Sequence, residues 1–168
     1  MRKINILKAI VDFLWIVTIP IGALLIIIFI PAVFFIDFGS TDIKVFDIYL
    51  KNDTIYTKII LAILAANSLL LFYSFHLFRN VLRYFQRVKI FESEVTHLFS
   101  KIGTLLVISG TVSLILGFIT PLYFENNLSL TIGLNSNLIV IGLGLFFQIL
   151  SEAFKIAKKA KQENDSII

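Results

Sequence analysis

The stretch IILAILAANSLLLFYSFHLF, residues 59–78, decides the fold, because it contains no Asp, Glu, Lys or Arg over 20 residues. A helix needs about 20 predominantly apolar residues to cross the hydrocarbon core of a bilayer. Three further uncharged runs occur at residues 13–36, 102–124 and 128–151. The sequence therefore predicts an all-α integral membrane protein, a four-helix transmembrane bundle forming a single membrane domain over residues 1–168.

Charged and turn-forming residues at the ends of these runs indicate where each helix begins and ends. The fourth run is polar in its first half, so its helix is placed from Ser136 onward and must continue past Glu152 to span. The predicted helices cover about residues 5–36, 58–88, 93–124 and 136–161, with outer loops at 37–57 and 125–135 and a tail at 162–168.

The distribution of basic residues indicates the orientation in the membrane. Twelve of the 15 Lys and Arg residues fall in the N-terminal segment, the loop between helices 2 and 3, and the C-terminal tail. The other three are Lys44, Lys51 and Lys58, in or beside the first outer loop. Because cytoplasmic loops carry the excess of Lys and Arg, we expect both termini in the cytoplasm. The net charge of +4 is thus a topology signal, and we expect no direct binding to nucleic acid.

The outer loops carry patterns typical of β-structure. Residues 46–50 and 54–57 are rich in β-forming side chains and flank Lys51-Asn52-Asp53, which predicts a hairpin. Apolar and small residues alternate over residues 128–134, as in a half-buried strand. These patterns predict a small extracytoplasmic β cap built from loops 1 and 3.

The residues that the chain lacks exclude several kinds of chemistry. Without cysteine there are no disulfides, no thiolate catalysis and no cysteine-ligated metal. The two histidines, His76 and His97, have no acid at ligand spacing, so we expect no metal site. No charged residue lies at the centre of a span, whereas ion-coupled transporters and proton pumps usually keep one there. We expect neither an enzyme nor a bound cofactor.

Three glycines recur every seven residues on the third helix, at Gly103, Gly110 and Gly117. Small residues let helices approach closely in lipid, where packing drives their association. The stripe predicts a helix-packing seam. The seam lies either within the bundle or between two copies of the chain in a homo-oligomer.

A row of basic residues follows the inner end of the second helix. The arginines are spaced at i, i+4 and i+8 opposite apolar side chains, which predicts an amphipathic stem along the membrane surface. Such arginines bind anionic lipid headgroups, worth about 1 kcal/mol each near the surface, or dock an acidic cytosolic partner. The candidate residues here are Arg79, Arg83, Arg87, Lys89 and Phe91.

The chain closes on Glu163, Asn164 and Asp165, followed by Ser166 and two isoleucines. A terminus of this kind is disordered by default. The alternative is a short recognition motif, in which the acidic cluster and the exposed aliphatic end contact a partner.

Two of these cytoplasmic segments resemble a known family. VKIFESEV at residues 88–95 and KQENDSII at residues 161–168 are similar to segments of an uncharacterised bacterial family of small four-helix membrane proteins, a domain of unknown function often encoded beside a helix-turn-helix regulator. The resemblance implies a bacterial inner-membrane location and makes a cytosolic helix-turn-helix regulator a candidate partner. It implies no activity and no catalytic residues.

Two functions remain open at this point. The first is a membrane-anchored interaction or regulatory protein that docks a cytosolic partner through the stem and the tail. The second is a small channel, transporter or lipid-handling subunit, in which the glycines and the 17 phenylalanines form a groove.

Overall fold

The computed structural model describes residues 2–29, 31, 35, 43–45, 48–50, 55–125 and 136–165, and four long helices dominate them. The elements are α1 (Arg2–Leu24), a π-helical continuation (Leu25–Phe29), β1 (Ile43–Val45), β2 (Ile48–Leu50), α2 (Ile55–Gln86), α3 (Ser93–Glu125) and α4 (Ser136–Asp165). By length and composition all four helices can cross a membrane, so the chain is a multi-pass membrane protein.

The observed helices confirm the four predicted ones and differ from them at their ends. α3 begins at Ser93 and α4 at Ser136, both as predicted. α2 begins three residues earlier than expected, and α4 continues to Asp165, beyond the predicted end at residue 161. The C-terminal part of the first predicted helix lies mostly outside the described residues.

The core of the protein is formed by α2, α3 and α4. Leu77 and Val81 of α2 are buried against Val95, Phe99 and Ile102 of α3. Side chains of α4 complete this cluster, since the Phe99 ring stacks at 5.9 Å on Phe147 and at 5.4 Å on Phe154. Aromatic rings in such contacts contribute more than their buried area alone.

α1 lies at the edge of this bundle and contacts α2 in antiparallel order. Its one buried apolar side chain among the described residues is Val11, and most of its large apolar side chains are exposed. The Trp15 ring lies 4.9 Å from that of His76, and a Cβ at Gly22 would lie 3.3 Å from Phe72. The exposed apolar face of α1 suits contact with lipid.

α4 is displaced along the bundle relative to α3. A Cβ at Gly144 would lie 2.8 Å from the carbonyl oxygen of Gly103, and a Cβ at Gly110 would lie 3.0 Å from that of Asn137. These pairs place the first residue of α4, Ser136, opposite the middle of α3. The last 15 residues of α3, about 22 Å of helix, therefore extend beyond the start of α4.

The segment between α1 and α2 contains a hairpin, but its strands differ from the predicted ones. β1 pairs antiparallel with β2, with Ile43 opposite Leu50 and Val45 opposite Ile48. The predicted strand at residues 54–57 is wrong, because α2 begins at Ile55, and Tyr56 contacts the Tyr123 ring of α3 at 5.0 Å. Packing against α3 outweighs the β-propensity of these residues. The predicted strand at 128–134 lies outside the described residues.

Candidate interaction surface

The turn between α2 and α3 is a compact helix cap with a strained residue. The N–H of Lys89 donates to the carbonyl of Tyr84 at 3.1 Å, and the N–H of Val88 donates to that of Phe85 at 3.2 Å. This pair of bonds is the Schellman arrangement, whose left-handed position is usually glycine. Here Val88 occupies it, with φ of 58°. A β-branched residue is strained in this conformation.

The three arginines of α2 do not share one environment. Arg79 pairs through Nε with Oδ1 of Asp12 on α1 at 2.5 Å, and Lys8 contacts the other carboxylate oxygen. The Arg79 guanidinium thus links α1 to α2. Arg83 and Arg87 lie on the exposed side of α2, with no ion pair to any described residue.

The predicted stem is the last part of α2, which continues as helix to Gln86 and packs on its apolar side. Val81 and Leu82 are buried. The Phe85 ring lies 6.2 Å from Phe99 and 5.8 Å from Phe154. The apolar face of this part of α2 therefore contacts α3 and α4. The opposite face, which carries Arg83 and Arg87, is exposed.

Arg83 and Arg87 line a cavity of about 350 Å³ between the end of α2 and the start of α3. The guanidinium groups and the His97 imidazole give it hydrogen-bond donors, and Glu94 adds one carboxylate. Arginine binds phosphate and carboxylate groups through its planar fork of donors. The other lining residues are Asn80, Tyr84 and Leu98.

The structure brings Phe91 and the end of α4 together. The ammonium of Lys161 lies 5.3 Å from the centre of the Phe91 ring, within the range of a cation–π contact. Around this contact is a second cavity of about 350 Å³. It is lined by Val88, Lys89, Phe91, Glu92, Lys158, Lys161 and Gln162.

Most of the lysines nearby are paired with a glutamate on the same segment. Lys89 contacts Glu92 at 2.9 Å. On α4, Lys155 contacts Glu152 at 3.7 Å and Lys159 contacts Glu163 at 3.9 Å. Exposed pairs of this kind contribute little to stability, but they reduce the charge offered to a partner. Lys158 has no ion pair with any described residue.

The predicted tail begins as helix. Glu163, Asn164 and Asp165 form the last turn of α4 instead of a disordered end. The exposed ion pair of Lys159 with Glu163 at 3.9 Å is compatible with this turn. Residues 166–168 lie outside the described residues.

The predicted glycine seam involves two of its three members. A Cβ at Gly103 would lie 2.7 Å from the carbonyl oxygen of Gly144, and one at Gly110 would lie 2.6 Å from Ile141. At Gly117 no described atom lies within 4 Å of a Cβ. The seam thus joins α3 to α4 within one chain, and the offset of α4 leaves Gly117 beyond it.

One family model covers most of the chain. The family model described as "Protein of unknown function (DUF2975)" matches residues 10–168. The chain belongs to this family. The DUF2975 match covers α1 from residue 10 onward, all of α2, α3 and α4, and both segments that meet at Phe91 and Lys161. No curated protein and no solved structure matches the chain.

Two features of this surface were not predicted from the sequence. Asp12 borders the first uncharged run and was given no role, but it pairs with Arg79, 67 residues away. Lys158 was counted only as a topology signal. Its helical spacing from Lys161 was the signal that could have placed both on one face.

Proposed function

We propose that this chain is a membrane-anchored interaction protein that binds a cytosolic partner. The surface that carries the proposal is defined as Lys89, Phe91, Lys158, Lys161 and Gln162, and is called the cytoplasmic surface below. Its main support is the contact of Phe91 with Lys161, which joins two segments 70 residues apart in the chain. The four helices serve as the anchor.

The chemistry of the cytoplasmic surface indicates the partner. Phe91 supplies an aromatic side chain, and aromatic residues are enriched among those that dominate binding energy. Lys158 and Lys161 supply positive charge that steers an acidic partner toward it. A partner that presents an acidic surface with an apolar side chain at its centre would be complementary to these three residues. The candidate partner is a soluble helix-turn-helix regulator. The proposed role needs no catalysis.

The proposal requires this surface to face the cytosol of a bacterial cell. The excess of Lys and Arg on the segments that form it supports that orientation, with both termini inside and the hairpin of loop 1 forming part of an outer cap. The proposed location is the inner membrane.

A photo-crosslinking amino acid at Gln162 tests the proposal in intact cells. We expect a crosslinked soluble protein that disappears in the double variant Lys158→Gln/Lys161→Gln and in Phe91→Ala. The matched control is Lys155→Gln/Lys159→Gln, which removes the same charge from the same helix but from paired residues. The same crosslinker at the exposed Phe146, in the apolar part of α4, is the control position and should not capture the soluble protein. A partner lost equally in both double variants would contradict the proposal.

A second function, lipid handling, is favoured by the cavity of Arg83 and Arg87. Two arginines and His97 at the inner end of the bundle suit an anionic headgroup. Native mass spectrometry of the protein with phosphatidylglycerol tests this. We expect Arg83→Gln/Arg87→Gln to lose bound lipid several-fold, and Lys155→Gln/Lys159→Gln to keep it. Equal retention by both variants would count against a lipid-handling role.

A further inference from the structure

A further cavity adjoins the cavity of Arg83 and Arg87, which is called the arginine cavity below. It has a volume of about 380 Å³ and lies between the start of α3 and the last part of α4. Lys155 and Lys158 line it, so it is called the lysine cavity. His97 lines both cavities, which therefore meet at this residue on the face of α3 that is open between α2 and α4.

Each of the two cavities has one net positive charge when its Lys, Arg and Glu side chains are counted. In the lysine cavity, Glu152 pairs with Lys155 at 3.7 Å, and Lys158 has no ion pair with any described residue. In the arginine cavity, the two guanidinium groups outnumber the single carboxylate, that of Glu94. A phosphodiester carries one negative charge. Each cavity is therefore complementary in charge to one phosphodiester.

Both cavities lie where the uncharged runs of the helices end. Asn80, in the arginine cavity, directly follows Arg79, and Ser151, in the lysine cavity, is the last residue of the uncharged run of α4. α2 and α4 both run towards this end of the bundle, and side chains on a helix tilt towards its N-terminus. The arginines and lysines therefore lean back towards the apolar part of the bundle, at the depth of the lipid headgroups.

The open face of α3 continues from the two cavities into the apolar part of the helix. Lys101, Thr104, Ile108 and Ile115 follow His97 at helical spacing, and all of them are exposed. The two isoleucines lie within the uncharged run of α3, where lipid surrounds the bundle. The acyl chains of a lipid whose headgroup occupies the cavities can therefore lie along this face.

We propose that the two cavities together bind one lipid with two phosphates, of the cardiolipin class, with one phosphate in each cavity. This inference rests on the lipid-handling function proposed above for the arginine cavity. In such a lipid a single glycerol joins the phosphates, and its free hydroxyl lies at His97, where the imidazole can hydrogen-bond with it. Basic pockets between membrane helices suit this headgroup. Because the phosphates are linked, the second contact is intramolecular and strengthens binding.

Native mass spectrometry of the purified full chain tests the proposal. The chain is released from phosphatidylcholine nanodiscs that contain cardiolipin or phosphatidylglycerol at equal mole fraction. We expect the unmodified chain to retain about tenfold more cardiolipin than phosphatidylglycerol. Lys158→Gln should remove most of this preference and leave the retained phosphatidylglycerol unchanged, because the arginine cavity stays intact. Lys159→Gln is the matched control, since Lys159 lines neither cavity and pairs with Glu163.

The outcomes separate this inference from the function on which it rests. Phosphatidylglycerol retained through Arg83 and Arg87, without a preference for cardiolipin, would overturn the bridging lipid and leave the lipid-handling function standing. Equal cardiolipin loss in Lys158→Gln and Lys159→Gln would do the same, and retention of neither lipid would overturn both. The deacylated cardiolipin headgroup is the soluble competitor. We expect it to displace cardiolipin only at much higher concentration, because it lacks acyl chains. Equal displacement would assign the cavities to a soluble diphosphate and contradict the proposal.

Discussion

Nε of Arg79 on α2 lies 2.5 Å from Oδ1 of Asp12 on α1, and this ion pair is the main polar link that holds α1 to the bundle. Both side chains are 26% exposed. In addition, Gln86 donates to Asn5 at 3.1 Å near the end of the same interface that holds the N-terminus of α1. An arginine expected to face headgroups thus serves as a contact between helices.

Arg79→Gln should loosen α1. A half-buried ion pair of this kind contributes roughly 1–2 kcal/mol, between the values for exposed and buried pairs. Because the chain has no cysteine, disulfide trapping between Asn5→Cys and Gln86→Cys measures the α1–α2 contact directly. We expect trapping to slow several-fold in Arg79→Gln. Lys8→Gln is the control, since it removes the other cation from Asp12 and leaves the link between helices. Unchanged trapping in Arg79→Gln would show that apolar packing alone holds α1.

Val88→Gly should stabilise the protein. A non-glycine residue in the left-handed region costs about 1–2 kcal/mol, and the added flexibility of glycine in the unfolded chain offsets part of this gain. Val88 is 62% exposed, so little packing is lost. Unfolding in mixed detergent should show a net gain of about 1 kcal/mol. Val88→Ala keeps a Cβ in the left-handed conformation but removes the β-branch, so its gain should be clearly smaller than that of Val88→Gly; an equal gain there would contradict the explanation.

Gly103→Ala should destabilise the contact of α3 with α4. The added Cβ would lie 2.7 Å from the backbone oxygen of Gly144, which cannot move without its helix. Overpacking of this kind costs about 1–3 kcal/mol. Gly117→Ala is the matched control, where a Cβ meets no described atom and the higher helix propensity of alanine should stabilise slightly. Detergent unfolding of the two variants side by side measures the difference. Similar unfolding midpoints for Gly103→Ala and Gly117→Ala would mean that α3 and α4 accommodate the added Cβ without a loss of stability.

Single-cysteine variants should report the orientation of the chain. An impermeant maleimide added to intact cells should label Tyr56→Cys at the start of α2 and leave Gln162→Cys unlabelled, because the basic segments stay inside. Both residues should react after the membrane is opened. Labelling of Gln162→Cys in intact cells would reverse the proposed topology, and with it the cytosolic partner.

The prediction from sequence was most accurate where a polar segment gives way to an apolar run. Ser93 begins α3 and Ser136 begins α4 as expected, each just before such a run. The prediction failed at residues 55–57. There β-forming side chains enter a helix, since a tyrosine contact across to α3 outweighs their local preference.

The candidate surface was predicted in its parts but not in its arrangement. Phe91 and the tail were both chosen from the sequence, whereas their meeting through Lys161 depends on how far α4 extends past α3. No local sequence pattern predicts how far α4 extends past α3. Gly144, which forms the close contact with Gly103, was missed for the same reason.

By itself the sequence determined that four helices cross a membrane and which of their segments carry the positive charge, because the lengths of the apolar runs and the placement of Lys and Arg are properties of each segment alone. Only the tertiary structure decided the offset of α4, the pairing of Arg79 with Asp12, and the hydrogen bonds of Asn67 to Ser109 and Ser113. Each of these depends on the axial position of one helix against another. That position is set by where glycines permit close approach and where polar groups find partners across the chain.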